Sequence, residues 1–416
     1  MPIEVQGKEN PISKLLMAAM KDKAAFYGTR ADADIRWLVT PSPTFNYMMG
    51  GGIPVGRMIR FRGPASAGKT VIATWCAGLC QKEIPKMFRN PLKKVVLYLD
   101  IECSFSRDWA NKQGLSTNDM VIKNADGDVV AVNADGDFIQ IRGTSIEAIA
   151  DEAMPIIETG NVAAIVFDSD GQAASKKQML DESGKSSFGG AAKAMSEMLN
   201  KMIPALAIYN TTLFWISQER ANMDPMSFLP ACSGGFKPQF SSSIVLRVQS
   251  REDIKNKGEV VGHYLRARNM KNKCSVMGRD AFMYLNFMDW KDDKGNLHPA
   301  GFETDREYIS YFVLCDLLHK ETSASGRANG YYSNEEFGIR IRGEEAIATF
   351  FNDPANAEVY QKMKDRCNQM MKGHIEVLDK NISTQEIDEH ADGDDDTSNT
   401  VNVAEMAAAA LGEDAE

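Results

Sequence analysis

The octapeptide Gly63-Pro64-Ala65-Ser66-Ala67-Gly68-Lys69-Thr70 constrains this chain more than any other feature. It matches G-x-x-x-x-G-K-[ST] in full, after an apolar run (Met58–Arg62) and before a helical pattern (Val71–Gln81). Glycines let the backbone wrap closely around phosphates, and the start of a helix presents free N–H groups to them. Lys69 reaches the outer phosphates, and the Thr70 hydroxyl suits Mg²⁺. The expected ligands are therefore ATP and Mg²⁺, held by residues 63–70 with Val71 beside them. A strand–loop–helix of this kind belongs to an α/β fold.

The rest of the chain supports that class. Short apolar runs at Val95–Asp100, Ala163–Asp168 and Thr212–Ser217 alternate with helical patterns at Ile146–Glu158 and Ala191–Ala207. This alternation predicts a mostly parallel sheet with helices on both faces. Asp168 ends its run and suits a water-mediated Mg²⁺ role. Glu102 lies just past Val95–Leu99, where parallel sheets place their chemistry, and could orient the attacking water. Asp100 competes with it by position.

Other features read more plainly. The seven cysteines are scattered without a Cys-x-x-Cys pair; Cys76 and Cys80, one helical turn apart, read as small core residues. The string Asn-Ala-Asp-Gly-Asp occurs twice, at Asn124–Asp128 and Asn133–Asp137. Two hairpin turns are expected rather than a calcium loop, which lacks its closing bidentate Glu. Residues 10–27 form a helical pattern, residues 281–299 strands with a turn at Asp292–Asn296, and Asp305–Lys320 an amphipathic helix. No apolar run is long enough to span a bilayer and no signal-peptide pattern opens the chain, so a cytoplasmic place and no membrane contact are expected.

Charge is unevenly placed. The chain carries −10, of which −11 falls in Asn381–Glu416, so the first 380 residues carry +1. The acidic tail reads as disordered. A tail of this charge would compete with an anionic ligand for basic loops, or simply keep the chain soluble.

Several motifs, taken in order, resemble the bacterial RecA recombinases. They are Val55-Gly56-Arg57 through Thr70, Asp100-Ile-Glu102, Asp168-Ser169, Ser187-Phe188-Gly189, Ser217-Gln218, Ser233-Gly234-Gly235 and Lys271-Asn272-Lys273. Gly330-Tyr-Tyr-Ser through Phe351 resembles that family's C-terminal lobe, and the chain also looks like the phage-encoded UvsX branch. The resemblance covers roughly residues 10–380. It implies a RecA-like P-loop ATPase core with a mostly parallel twisted sheet, a short N-terminal helix, a small C-terminal α+β lobe and a disordered acidic tail. The implied divisions are 1–50, 51–329, 330–381 and 382–416.

The resemblance also implies roles. Glu102 would activate water, Trp109 would pack against adenine, and Gln218 would sense the γ-phosphate. Lys271 and Lys273 would reach a neighbouring subunit's ATP; on their own they read as a basic surface turn. Two loops would contact DNA. One, about Gln178–Gly190, has Lys176, Lys177, Lys185, Phe188, Gly189 and Lys193 in or beside it. The other, about Glu219–Gly235, carries Arg220, Met223, Met226, Phe228, Gly234 and Gly235. Phe240 and the first helix would serve the subunit interface. The implied activity is a DNA-dependent ATPase that forms a helical filament on single-stranded DNA and exchanges strands with a homologous duplex. Mediator or single-strand-binding proteins would attend it, in a bacterial cell and, on the phage branch, an infected one. The alternatives are a RecA-fold helicase, which would want an N-terminal collar longer than residues 1–50, an ATP-gated DNA scaffold, and a metabolite kinase. The chain departs from the family at the insertion 121–142, at Trp109 in place of a tyrosine, and at Phe236–Pro238.

Overall fold

The computed structural model describes residues 35–369, except 125, 144, 176–189, 221–230, 233–234, 294, 315 and 323–327. The helix expected at 10–27 and the acidic tail lie outside the described residues. The chain divides into two units, Met1–Arg36 and Trp37–Glu416, and the account below concerns the second.

A single large sheet organises that unit. In chain order its main strands are β1 Met58–Gly63, β2 Val95–Asp100, β3 Phe138–Ile141, β4 Val162–Asp168, β5 Thr212–Arg220, β6 Ile244–Asn256, β7 Glu259–Asn272, β8 Asp280–Asn286 and β9 Gly301–Phe302, and the two-residue strand Ala231–Cys232 pairs antiparallel with the end of β5. Their spatial order is β9-β8-β7-β6-β1-β5-β4-β2-β3. The pairs from β6 through β1, β5, β4, β2 to β3 are parallel. Those from β6 through β7 and β8 to β9 are antiparallel. The sheet thus has a parallel half and an antiparallel half, joined at β6.

Side chains of the parallel half alternate between two cores, as a period of two requires. Phe61, Val96, Tyr98, Val166 and Phe214 face one cluster. Met58, Leu97, Leu99, Ile165, Phe167, Leu213 and Trp215 face the other. The first is covered by helix α2 Lys69–Met87 through Ile72, Ala73, Cys76 and Cys80, and α1 Pro43–Met49 packs into the same cluster through Phe45, Met48 and Met49. The second is covered by α4 Ile146–Glu158 and α5 Gly190–Tyr209, whose Ile149, Ala153, Met195, Met198 and Met202 are buried there. Between α2 and α4 in the chain comes the short α3 Arg107–Lys112, capped by Ser106. Helices on both faces are what the sequence predicts. Cys76 and Cys80 are fully buried, and burial pushes both thiols up.

Three expectations need correction. The first Asn-Ala-Asp-Gly-Asp does turn a hairpin, between Val121–Lys123 and Val129–Val132. The second does not: residues 133–137 carry the chain into β3, which pairs parallel to β2. Burial of Phe138 against Tyr98 and Phe105 outweighs hairpin pairing there. Residues 138–141 are therefore part of the main sheet and not of an appended hairpin. Finally, the helix expected over Asp305–Lys320 stops early, as α7 Thr304–Leu314. Asp316 is left-handed (φ 58°), the Leu317 N–H bonds back to the Phe312 carbonyl, and His319 begins a strand.

A third apolar cluster, built from Tyr308, Phe312, Leu318, Tyr332, Ile339, Ile347 and Phe351, forms the small lobe. Its three-stranded antiparallel sheet is His319–Thr322, Ala328–Asn334 and Ile339–Arg342, with α8 Glu344–Asn352 following. Among the described residues, no helix is long and apolar enough to cross a membrane.

Candidate nucleotide and nucleic-acid site

The phosphate loop leaves β1 and enters α2. Gly63 (φ 155°) lies so close to β6 that a Cβ there would sit 2.2 Å from the Val248 carbonyl oxygen. Gly68 (φ 89°) caps α2 without any side chain, so the first N–H groups of the helix have no side-chain acceptor. Ser66 is left-handed too (φ 59°), which curls the exposed Pro64–Ser66 segment back over the helix start. This is a backbone cradle for an anion.

Lys69 is buried, and its Nζ donates to the Pro64 carbonyl at 2.5 Å. Burial lowers its pKa, while Asp168 and Glu102 act in the opposite direction. The Thr70 hydroxyl donates to Asp168 Oδ2 at 3.1 Å, and the Tyr98 hydroxyl donates to the same oxygen at 2.8 Å. Burial, with Glu102 adding, raises Asp168 to about 6 against the pull of the Tyr98 and Thr70 hydrogen bonds. A hydroxyl and a carboxylate held together at a phosphate loop fit Mg²⁺, whose charge would favour the ionised acid. The uncapped helix start and the Lys69 ammonium fit a nucleotide triphosphate.

Glu102 and Asp100 part company here. Asp100 is buried: its Oδ1 accepts the Ser104 N–H, and its Oδ2 accepts Gln140 and Arg142 from the β3 edge. It is a structural carboxylate. Glu102 is half-buried; its Oε1 accepts the Ser169 hydroxyl and the Gln218 amide, the latter at 2.9 Å. Glu102 therefore joins the ends of β2, β4 and β5 beside the phosphate loop. Its neighbour Glu219 binds Arg62 and Arg247, locking β5 to β1 and β6. Trp109, in α3, is half-buried and edge-on to Phe287 at 6.3 Å, with Lys112 5.9 Å from its ring.

Lys271 and Lys273 lie far from this site. Lys271 pairs with Val245, which pairs with Arg60. The Lys273 N–H bonds to Ser243, whose own N–H bonds to Met58. Lys273 is thus level with Met58, five residues back from Gly63 and two strands across. At about 3.3 Å per residue and about 4.8 Å per strand, that is roughly 19 Å. Neither lysine reaches its own phosphate loop. Both ammonium groups rest on the end of α6 Lys237–Ser241: Lys271 on the Gln239 and Phe240 carbonyls at 2.7 and 3.3 Å, Lys273 on Phe240 at 3.3 Å. Burial and the charge of Lys273 lower the Lys271 pKa. Phe236 and Phe240 beside them are 81% and 66% exposed.

The RecA N-terminal domain family matches residues 17–289, well over half of the chain. The chain belongs to the RecA family. It is 26% identical over 341 residues to the RecA protein of Cutibacterium acnes, covering 82% of this chain and 84% of that protein. It is 25% identical over 355 residues to RecA of Chlorobium chlorochromatii, covering 84% and 86%. With RecA of Leptospira meyeri the figures are 25% over 346 residues, 81% and 75%.

In this RecA-family chain, Lys176, Lys177, Lys185, Phe188, Gly189, Met223 and Gly234 lie outside the described residues. Their anchors are described, and they converge. Arg220 donates to the Gly171 carbonyl at 2.8 Å, joining the entrances of the two segments. A Cβ on Gly235 would lie 3.3 Å from that of Ala192, so their exits meet as well. Lys193, on the first turn of α5, is exposed and 3.9 Å from Glu197.

Sequence reasoning missed Tyr98 and the pair Arg60–Asp170, and it named Ser169 in a motif without its contact to Glu102. Tyr98 was legible in principle, being two residues before Asp100 on the face that meets the phosphate-loop helix. The Arg60–Asp170 pair had no local signal, because it is a contact between different strands.

Proposed function

We propose that this chain is a RecA-type recombination protein: a DNA-dependent, Mg²⁺-requiring ATPase that assembles as a helical filament on single-stranded DNA and exchanges strands with a homologous duplex. One observation carries the reading. The chain holds a phosphate loop with the Glu102 carboxylate beside it at one end of its sheet, and the Lys271 and Lys273 cations at the other. Charge developing on a transferred phosphoryl group needs such cations. Each site is then completed by Lys271 and Lys273 of the next subunit, so hydrolysis requires assembly.

When bound, Mg-ATP supplies the electrophilic γ-phosphorus. Glu102 accepts the proton of the attacking water, Gln218 carries the occupancy of that position to the segment after Arg220, and Trp109 takes the adenine. Thr70 and Asp168 would hold the metal, which would supply positive charge against the phosphate oxygens. The segments 176–189 and 221–234, anchored beside Lys193, Arg220 and Gly235, grip DNA phosphates and separate bases. Sequence specificity comes from base pairing. Mediator and single-strand-binding proteins are the natural partners of such a filament.

A strand-exchange assay between single-stranded DNA and duplex, with ATP and Mg²⁺, tests this. Joint molecules should form with homologous duplex only, and Lys69→Ala should form none. ATP turnover indifferent to DNA, with no pairing, would refute the proposal.

A further inference from the structure

Helix α6, which carries the carbonyls under Lys271 and Lys273, has only five residues. A helix that short has little stability of its own. Something else must fix the two carbonyls. Gln239 supplies the link: its Oε1 accepts the Arg60 guanidinium at 3.1 Å, while its carbonyl accepts Lys271. Arg60 is 2% exposed and lies on β1, between the phosphate loop and α6. Its Nε donates to the Ser217 hydroxyl at 2.7 Å, and Nη2 faces Asp170 Oδ2 at 3.5 Å. Asp170 Oδ2 also accepts Trp215 Nε1 at 2.9 Å and the Ser217 hydroxyl at 2.5 Å. Ser217 is next to Gln218, which touches Glu102.

We propose that Arg60, matched by Asp170 and acting through Gln239, is a positioning brace that aims Lys271 and Lys273 at the neighbouring subunit's ATP. This rests on the reading that those lysines act in trans. The brace ties the lysine platform rigidly to β1 and β5, the strands that end at the chain's own nucleotide. Lysine side chains are rich in rotamers, and a fixed platform removes part of that search before the partner docks. The Arg60–Asp170 pair is buried, so removing either member leaves an uncompensated charge and endangers folding. Gln239 is the safer handle, being half-buried and neutral.

The test uses mixed filaments of full-length chains on single-stranded DNA. A donor carrying Glu102→Gln keeps its lysines but cannot hydrolyse its own ATP. A recipient carrying Lys271→Ala/Lys273→Ala keeps Glu102. Neither turns over alone, and mixing them should restore ATPase at the mixed junctions. Adding Gln239→Ala to the donor should lower that restored rate about tenfold, as for a misplaced catalytic group. Gln239→Glu in the donor should keep it within about twofold. Gln239→Ala in the recipient, whose lysines are already gone, should change nothing. Equal losses from either placement, or no loss from the donor, would overturn the brace. No restored activity even with the unmodified donor would overturn the trans reading itself.

Discussion

The two halves of the sheet do different work and are legible to different degrees. The parallel half, from β1 to β3, holds the phosphate loop, Thr70, Glu102, Asp168 and Gln218 at the C-terminal ends of its strands. The antiparallel half, from β6 to β9, holds Lys271 and Lys273 at the far end. On the proposed reading, a site split in this way does not close within one chain: each end of the sheet carries half of it, and stacking copies would be part of the chemistry.

The sharpest way to break the comparison is to disable the parallel half alone. Glu102→Gln should lower DNA-stimulated hydrolysis by about 10²–10⁴-fold, while ATP-dependent DNA binding persists. If hydrolysis survives, Glu102 is not the group that acts on water.

The antiparallel half has its own lever. Glu307, in α7, is fully buried and accepts the Ser42 and Thr44 hydroxyls; Thr44 also donates to the Phe282 carbonyl of β8. Burial raises Glu307 to about 8 from 4.5, against its hydrogen bonds to Ser42 and Thr44. The folded chain then holds a proton that the unfolded chain has released over that window. Stability should fall as pH rises from 4.5 towards 8, by at most about 1.4 kcal/mol per pH unit. Glu307→Gln should flatten this slope, read by urea unfolding at pH 6 and pH 8. An unchanged slope would remove Glu307 as its source.

A smaller effect sharpens the metal side. Tyr98→Phe removes the 2.8 Å bond to Asp168. That bond holds the Asp168 pKa down, so its loss moves the pKa further above about 6. The Mg²⁺ needed for half-maximal ATPase should rise by roughly fivefold, the worth of about 1 kcal/mol, and more steeply as pH falls towards 6. An unchanged Mg²⁺ requirement would show that this hydrogen bond does not tune the site.

The smallest effect belongs to the hairpin 121–132. Among the described residues its strands pair with each other alone, and Val129, Val130 and Val132 are exposed. Val130→Thr should shift stability by less than about 0.5 kcal/mol in thermal unfolding. A larger loss would mean that the hairpin packs on the core.

What could be read from sequence follows the same division. β2, β4 and the first part of β5 are buried on both faces, so they appear as continuous apolar runs ending near Asp100, Asp168 and Gln218. α4 appears with both ends right, because Ser145 caps it and its apolar residues repeat at helical spacing. β6 and β7 escaped notice. Arg247, Arg251, Glu252 and Asp253 interrupt β6, and register shifts between β6 and β7 after Val245, Ser250 and Ile254 break the alternation that marks a strand. Within the site, residues next to a motif were legible. Tyr98, Ser169 and the Arg60–Asp170 pair act across strands, and only the fold brings them together.

The most direct test of the split site is steady-state ATP hydrolysis with and without single-stranded DNA, for the unmodified chain and for Lys271→Ala/Lys273→Ala. The account predicts strong stimulation by DNA in the former and none in the latter, with nucleotide binding to the isolated chain unchanged. Turnover that ignores both DNA and the two lysines would contradict it.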